Sequence, residues 1–123
     1  MVFSRMEEIT LLRAEALAVL GQRSEALNAL NRACALRGFS FTSDVPDLVA
    51  AIFQERRREL MGEGWRWYDI VRYNRIKNPQ TVFATKGAKS MTFKEFEAAG
   101  GIYWPVSQDV INANSSITQN PYW

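Results

Sequence analysis

The chain has 123 residues, 47% hydrophobic and 23% charged, with 7 Gly and 4 Pro; this composition excludes intrinsic disorder and collagen and leaves room for one core. Its 15 Lys and Arg against 13 Asp and Glu leave a formal charge of +2, too small a surplus to demand nucleic acid. With no His and one Cys, an internal disulfide, the usual Zn sites and any Ser-His or Cys-His nucleophile are excluded.

No apolar run reaches the roughly 18 residues of a membrane span, and Arg5, Glu7 and Glu8 interrupt the opening stretch where a signal peptide needs an apolar core. From Arg5 to Leu20, apolar residues at Ile9, Leu12, Ala16, Val19 and Leu20 predict an amphipathic helix with that stripe inward, ended by Gly21. A second helix, Ser24 to Leu36, should bury Ala26, Leu27, Leu30, Ala33 and Cys34, with Gly38 as a left-handed cap and Cys34 acting as a small hydrophobe. A short linker over residues 39–43 leads to a third helix, capped by Asp44 with Pro46 in its first turn, that runs through Leu48, Ile52, Phe53 and Leu60. Gly62 and Gly64 end or kink it, and a further helix is expected from Trp65 to about Tyr73. Residues 75–91 read as irregular. Thr92 and Glu95 form a capping box for a two-turn helix that Gly100 and Gly101 end; Ile102 to Val106 reads as extended, and Ser107 as the start of a possible helical turn. The fold class is all-α: a helical hairpin over residues 5–38, a helical segment over 44–74, and an irregular C-terminal tail with short helices over 75–123.

Two stretches carry more than local structure. Residues 21–36, GQRSEALNALNRACAL, are similar to the second half of a tetratricopeptide (TPR) unit, with Ala16, Ala26 and Ala33 letting two helices approach closely. Only one copy is visible, and such units bury a continuous core by stacking at least three, so the hairpin calls for further helices; a generic helical hairpin is the plainer alternative. Residues 54–74, QERRRELMGEGWRWYDIVRYN, interleave arginines with aromatics but lack the charge excess of a phosphate-tracking surface. Helical spacing instead pairs Glu55 with Arg58, Arg56 with Glu59, Glu63 with Arg66 and Asp69 with Arg72 as i, i+3 neighbours. Arg56, Glu59, Glu63, Arg66 and Asp69 are therefore expected to form a partly buried network holding the third helix to the segment after Gly64, with planar arginine used throughout and lysine absent. Glu59, Glu63 and Asp69 offer carboxylates for glycoside hydrolysis, but an arginine within reach of each favours the charged form over a proton donor. The glycosylation-type tripeptide Asn114-Ser115-Ser116 is a pattern that arises often by chance.

The signature stretch, Glu55, Arg56, Arg57, Glu59, Leu60, Glu63, Gly64, Arg66, Trp67, Tyr68, Asp69 and Arg72, resembles the SusD/RagB-like outer-membrane nutrient-binding lipoproteins. So does the closing pattern of Trp104, Pro105, Val106, Asn114, Thr118, Gln119, Asn120 and Pro121, although Ser107 stands where a second proline is usual and Tyr122 where Gly often follows. The hairpin is similar to the last TPR-like unit of that family, so the resemblance spans nearly the whole chain. It implies a C-terminal piece of a longer protein, with Met1 not a natural start. It further implies a location at the outer-membrane surface, capture of oligosaccharides or peptides, delivery to a TonB-dependent (SusC-like) transporter, and no enzymatic step, cofactor or metal. The family's glycan-contacting aromatics lie mostly upstream of the matching region, so no ligand-binding residue is assigned; Glu55, Arg56, Glu59, Glu63, Arg66, Trp67, Asp69 and Arg72 are its structural signature. A sugar pocket needs preformed loops, so the chain alone should bind glycans no better than the millimolar range. Its hairpin should also expose an apolar outer face and self-associate. The rival reading is a small TPR-type adaptor with an exposed concave groove; a nucleic-acid binder conflicts with the near-neutral charge.

Overall fold

The computed structural model describes residues 4–123; Met1, expected above to be internal to a longer chain, lies outside the described residues. The chain divides into two compact units, the first ending at Tyr73 and the second spanning Asn74–Trp123. Its elements are α1 (Met6–Val19), α2 (Arg23–Cys34) with a 3-10 turn (Ala35–Arg37), α3 (Leu48–Glu59), α4 (Arg66–Lys77), β1 (Ala84–Lys86), β2 (Lys89–Met91), α5 (Phe93–Ala98) and α6 (Gln108–Ala113). The class is all-α, with one small two-stranded sheet among the described residues.

In the first unit α1 and α2 form the hairpin and α3 packs against α1. The core joins Leu11, Ala14, Ala26, Ala29, Leu30, Ala33 and Cys34 to Leu48 and Ile52 of α3, with Leu17, Leu27, Phe41 and Val45 half-buried at its edge. Alanines dominate the contact, so the helices approach closely with little side chain to order. α1 presents a different face from the one its apolar residues suggested. Ile9, Val19 and Leu20 are 52%, 53% and 73% exposed, Ala16 is exposed, and Leu12 lies at the surface, whereas Glu8, Leu11, Ala14 and Glu15 are buried. α1 is apolar on both sides, and the side that turns in is the one whose Glu15 is paired with Arg72 of α4; Ala14, not Ala16, is the small residue at the interface.

Gly38 closes the 3-10 turn in the left-handed region at φ 66°. α3 is capped by Asp47, whose side chain accepts from the Ala50 N–H at 3.0 Å, rather than by Asp44. Pro46 restricts Val45 before it, and the chain stays extended through Asp47 (φ −125°); Asp44 instead accepts from the Thr42 hydroxyl. Gly62 and Gly64 take φ of 82° and 81°, conformations that a side chain would strain, and so break the chain between α3 and α4.

In the second unit the stretch read as irregular holds the end of α4 and a β-hairpin. Ala84 pairs with Met91, Thr85 with Ser90 and Lys86 with Lys89, leaving Gly87-Ala88 as a two-residue turn with Gly first (φ 61°), the pattern of a II′ turn. The Thr92 and Glu95 capping box forms and starts α5. Phe83, Phe93, Phe96 and Tyr122 stack edge to face or tilted with centroids 5.0–5.2 Å apart. Phe96 lies so close over Gly101 that a Cβ there would come within 2.3 Å of the ring. Ser107 caps α6. The two halves of the closing pattern bind each other: Gln119 accepts from the Val106 N–H at 2.8 Å and donates to its carbonyl at 2.9 Å. Asn120 donates to the Trp104 carbonyl, and the Trp123 indole to the Tyr103 carbonyl at 2.7 Å.

Candidate functional site

The signature residues of α3 and α4 build a charge network within the first unit. α3 projects Arg56 inward, 1% exposed, and α4 projects Asp69, 2% exposed. Arg56 Nε and Nη2 both reach Asp69 Oδ1 at 3.0 Å, and Arg72 Nη2 donates to the same oxygen at 2.9 Å. Arg72 also forms a fork with Glu15 of α1, two bonds of 2.8 Å, while its guanidinium lies 5.6 Å from the Phe53 ring centroid. The Glu15 bonds hold Arg72 above the usual arginine range. Planar donors that bind a carboxylate at two points offset the cost of taking these charges out of water.

A second cluster flanks Arg56 on the same C-terminal half of α3. Glu55, 2% exposed, is held by Arg37 and by Arg58 at 3.1 Å. Glu59 takes Arg37 and Arg5, the latter at 2.7 Å, and Glu63 takes Arg5 at 2.8 Å. The bonds that Arg5 donates to Glu63 and then to Glu59 raise its pKa above the ordinary value. Of the four i, i+3 pairs expected, Glu55 with Arg58 and Asp69 with Arg72 form. Arg56 with Glu59 and Glu63 with Arg66 do not, because partners distant in sequence compete: Asp69 takes Arg56, and Arg5 takes Glu59 and Glu63. Arg66 is exposed and Trp67 half-buried in α4. Arg5, Glu15 and Arg37 were missed by a reading confined to residues 54–74; the signal for Glu15 was its place, with Glu8 seven residues before it, on the face of α1 that also carries Leu11 and Ala18.

Beside the buried pair is an open cleft of about 430 Å³. Its walls are Arg56 and Arg57 of α3, Leu60 to Gly62 and Gly64 to Trp65 of the connecting loop, and Arg66 and Asp69 of α4. Every carboxylate of residues 54–74 is bonded to arginine, so none stands alone in an apolar pocket, the setting from which a carboxyl acts as a general acid. Burial raises the Cys34 thiol, which keeps it protonated in the core. No group of His, Cys, Asp and Glu suited to a metal occurs among the described residues, and no helix there is long and apolar enough to cross a membrane.

Comparison with known proteins agrees with the signature. A SusD-like protein of Formosa agariphila is 36% identical over 85 residues, an alignment covering 60% of this chain and 17% of the relative. The chain thus spans about a sixth of the length of that curated relative. No solved structure matches. The model of the SusD family matches residues 1–123 from end to end, and the chain belongs to that family.

Proposed function

We propose that the chain is the C-terminal part of a surface glycan- or nutrient-binding lipoprotein of the outer membrane, which captures oligosaccharides and passes them to a TonB-dependent SusC-like transporter without an enzymatic step. The family match over residues 1–123 carries this reading. Within the longer protein, this stretch supplies scaffold: a TPR-like hairpin over residues 5–38, the charge-paired segment over 44–74, and the stapled tail over 75–123. Glu55, Arg56, Glu59, Glu63, Trp67, Asp69 and Arg72 act in it as structural residues; Arg66 of the same signature is exposed and holds no ion pair among the described residues. Calorimetry of the full-length parent against a panel of oligosaccharides tests the reading, with saturable binding and no release of reducing sugar expected. A parent that binds no member of the panel, or that cleaves one, overturns it.

The exposed side of α1 fits a scaffold that continues. Met6, Ile9, Leu12, Val19 and Leu20 form an apolar face that a stacked helical layer would cover. Isolated at high concentration, the 123-residue chain is expected to associate through this face, and Ile9→Lys with Val19→Lys to restore a monomer. Light scattering that shows the unaltered chain as a monomer throughout would remove this expectation.

A further inference from the structure

The cleft between α3 and α4 has a chemistry that the scaffold does not use. Its one lining carboxylate, Asp69, is already bonded to Arg56 and Arg72. Glu63, the acid of the adjoining loop, is turned to Arg5. Arg57 of α3 and Arg66 of α4 remain: both line the cleft, both are exposed, and neither has an ion pair among the described residues. The half-buried Trp65 lines the same cleft, its indole tilted against the exposed Tyr68 with centroids 6.2 Å apart. Gly62 and Gly64 also line it, and a Cβ at either would meet nothing within 4 Å.

We propose that this cleft binds an acidic sugar, a carboxylate or sulfate on the ring being held by Arg57 and Arg66 while the apolar face of the ring lies on Trp65. Guanidinium is the side chain best matched to such anions, because its planar fork gives two parallel bonds. A hydrated indole face is the usual complement of the C–H face of a sugar ring. A volume of about 430 Å³ holds one or two rings and no polymer duplex, and two cations are too few to track a phosphate backbone. The sugar half rests on the glycan-binding reading above; the anion half rests on the cleft alone. Since both arginines are exposed, binding is weak, in the millimolar range, and screened by salt.

The test is an NMR titration of the 123-residue chain with tetragalacturonate, a sulfated tetrasaccharide, neutral maltotetraose and sodium sulfate. Acidic tetrasaccharides should shift the Trp65 indole and the amides of residues 57–66, bind about tenfold tighter than the neutral one, and lose about tenfold in Arg57→Gln/Arg66→Gln. That variant should melt with the parent, as both side chains lie at the surface. Equal binding of acidic and neutral sugars, or acidic binding that survives the double variant, overturns the proposal. Sulfate binding as tightly as the acidic tetrasaccharides, an adventitious ion only, overturns the sugar half. The same double variant in the full-length parent separates this site from the parent's function: a parent that still captures its oligosaccharide unchanged sinks the cleft and spares that reading.

Discussion

The two units are held together by different physics. Every buried charged residue among the described ones lies in the first unit: Glu8, Glu15, Glu55, Arg56 and Asp69. The second buries Met91, Phe93, Phe96 and Tyr122, keeps its ion pair between Arg75 and Glu97 at the surface, and ties its tail down with side-chain amides. A buried charge is tolerated only while its partner is in place, so the first unit is specific in register and intolerant of losing a single group. An apolar ring cluster loses stability by degrees when atoms are removed, but it has no room for atoms that are added.

Asp69→Ala should break the first unit hardest. It strands Arg56 in the interior, a loss of roughly 3–5 kcal/mol that corresponds to a melting temperature lower by roughly 10 °C or more. Arg66→Ala, which removes an exposed side chain, should stay within about 0.5 kcal/mol. Thermal unfolding of the two variants side by side checks this, and equal shifts would mean that the signature acts as a surface lattice instead of a buried pair.

In the second unit the sensitive change is an addition. Gly101→Ala drives a methyl into the Phe96 ring and should cost about 1–3 kcal/mol by overpacking. Phe96→Leu in the same chain should recover part of the loss, because a smaller side chain gives the methyl room. If denaturant midpoints showed Gly101→Ala to be neutral, the ring would not be held over the glycine as described.

A smaller effect belongs to the tail. Gln119→Ala removes two bonds to Val106, each worth about 0.5–1.5 kcal/mol, and should speed hydrogen exchange at the Val106 amide well before global stability falls. Unchanged protection there would show that the tail is seated by Tyr122 alone.

How far the sequence could be read follows the same division. Features set by near neighbours were legible: the two glycine breaks at residues 62 and 64, the Thr92 and Glu95 box, the helical turn at Ser107, and the i, i+3 pairs of Glu55 with Arg58 and Asp69 with Arg72. Features set at a distance were not. Helical spacing offered Glu59 to Arg56, but Asp69, across the break, captured it. The buried face of α1 differs from the expected one because the apolar residues Ile9, Leu12, Ala16, Val19 and Leu20 alone set the stripe, while Arg72 draws Glu15 inside on the other side. The hairpin at residues 84–91 escapes a reading of the sequence because strands of three residues, with burial that does not alternate, give no periodicity to detect. The cleft depends on which arginines are left unpaired, and that is known only once the others have found their partners.

The smallest effect is electrostatic, and it lies at the surface of the second unit. The Glu95 carboxyl accepts from the Thr92 N–H at 2.8 Å and from its hydroxyl at 3.0 Å, bonds that hold its pKa below the ordinary 4.5. The folded state therefore takes up this proton less readily than the unfolded chain. The contribution of the box to α5 is complete above the unfolded pKa and is lost as pH falls through about 4.5 and on to the lower folded value. Glu95→Gln keeps a capping side chain without the charge, so its stability should trail the parent by a constant margin near neutral pH and by a shrinking one as the pH drops. Parallel denaturant titrations between about pH 7 and pH 3 measure that margin. A margin flat across the range would mean that the Thr92 bonds act through shape alone; a shrinking one places an acid-sensitive contact on an exposed cap, in the unit that has no buried charge among its described residues.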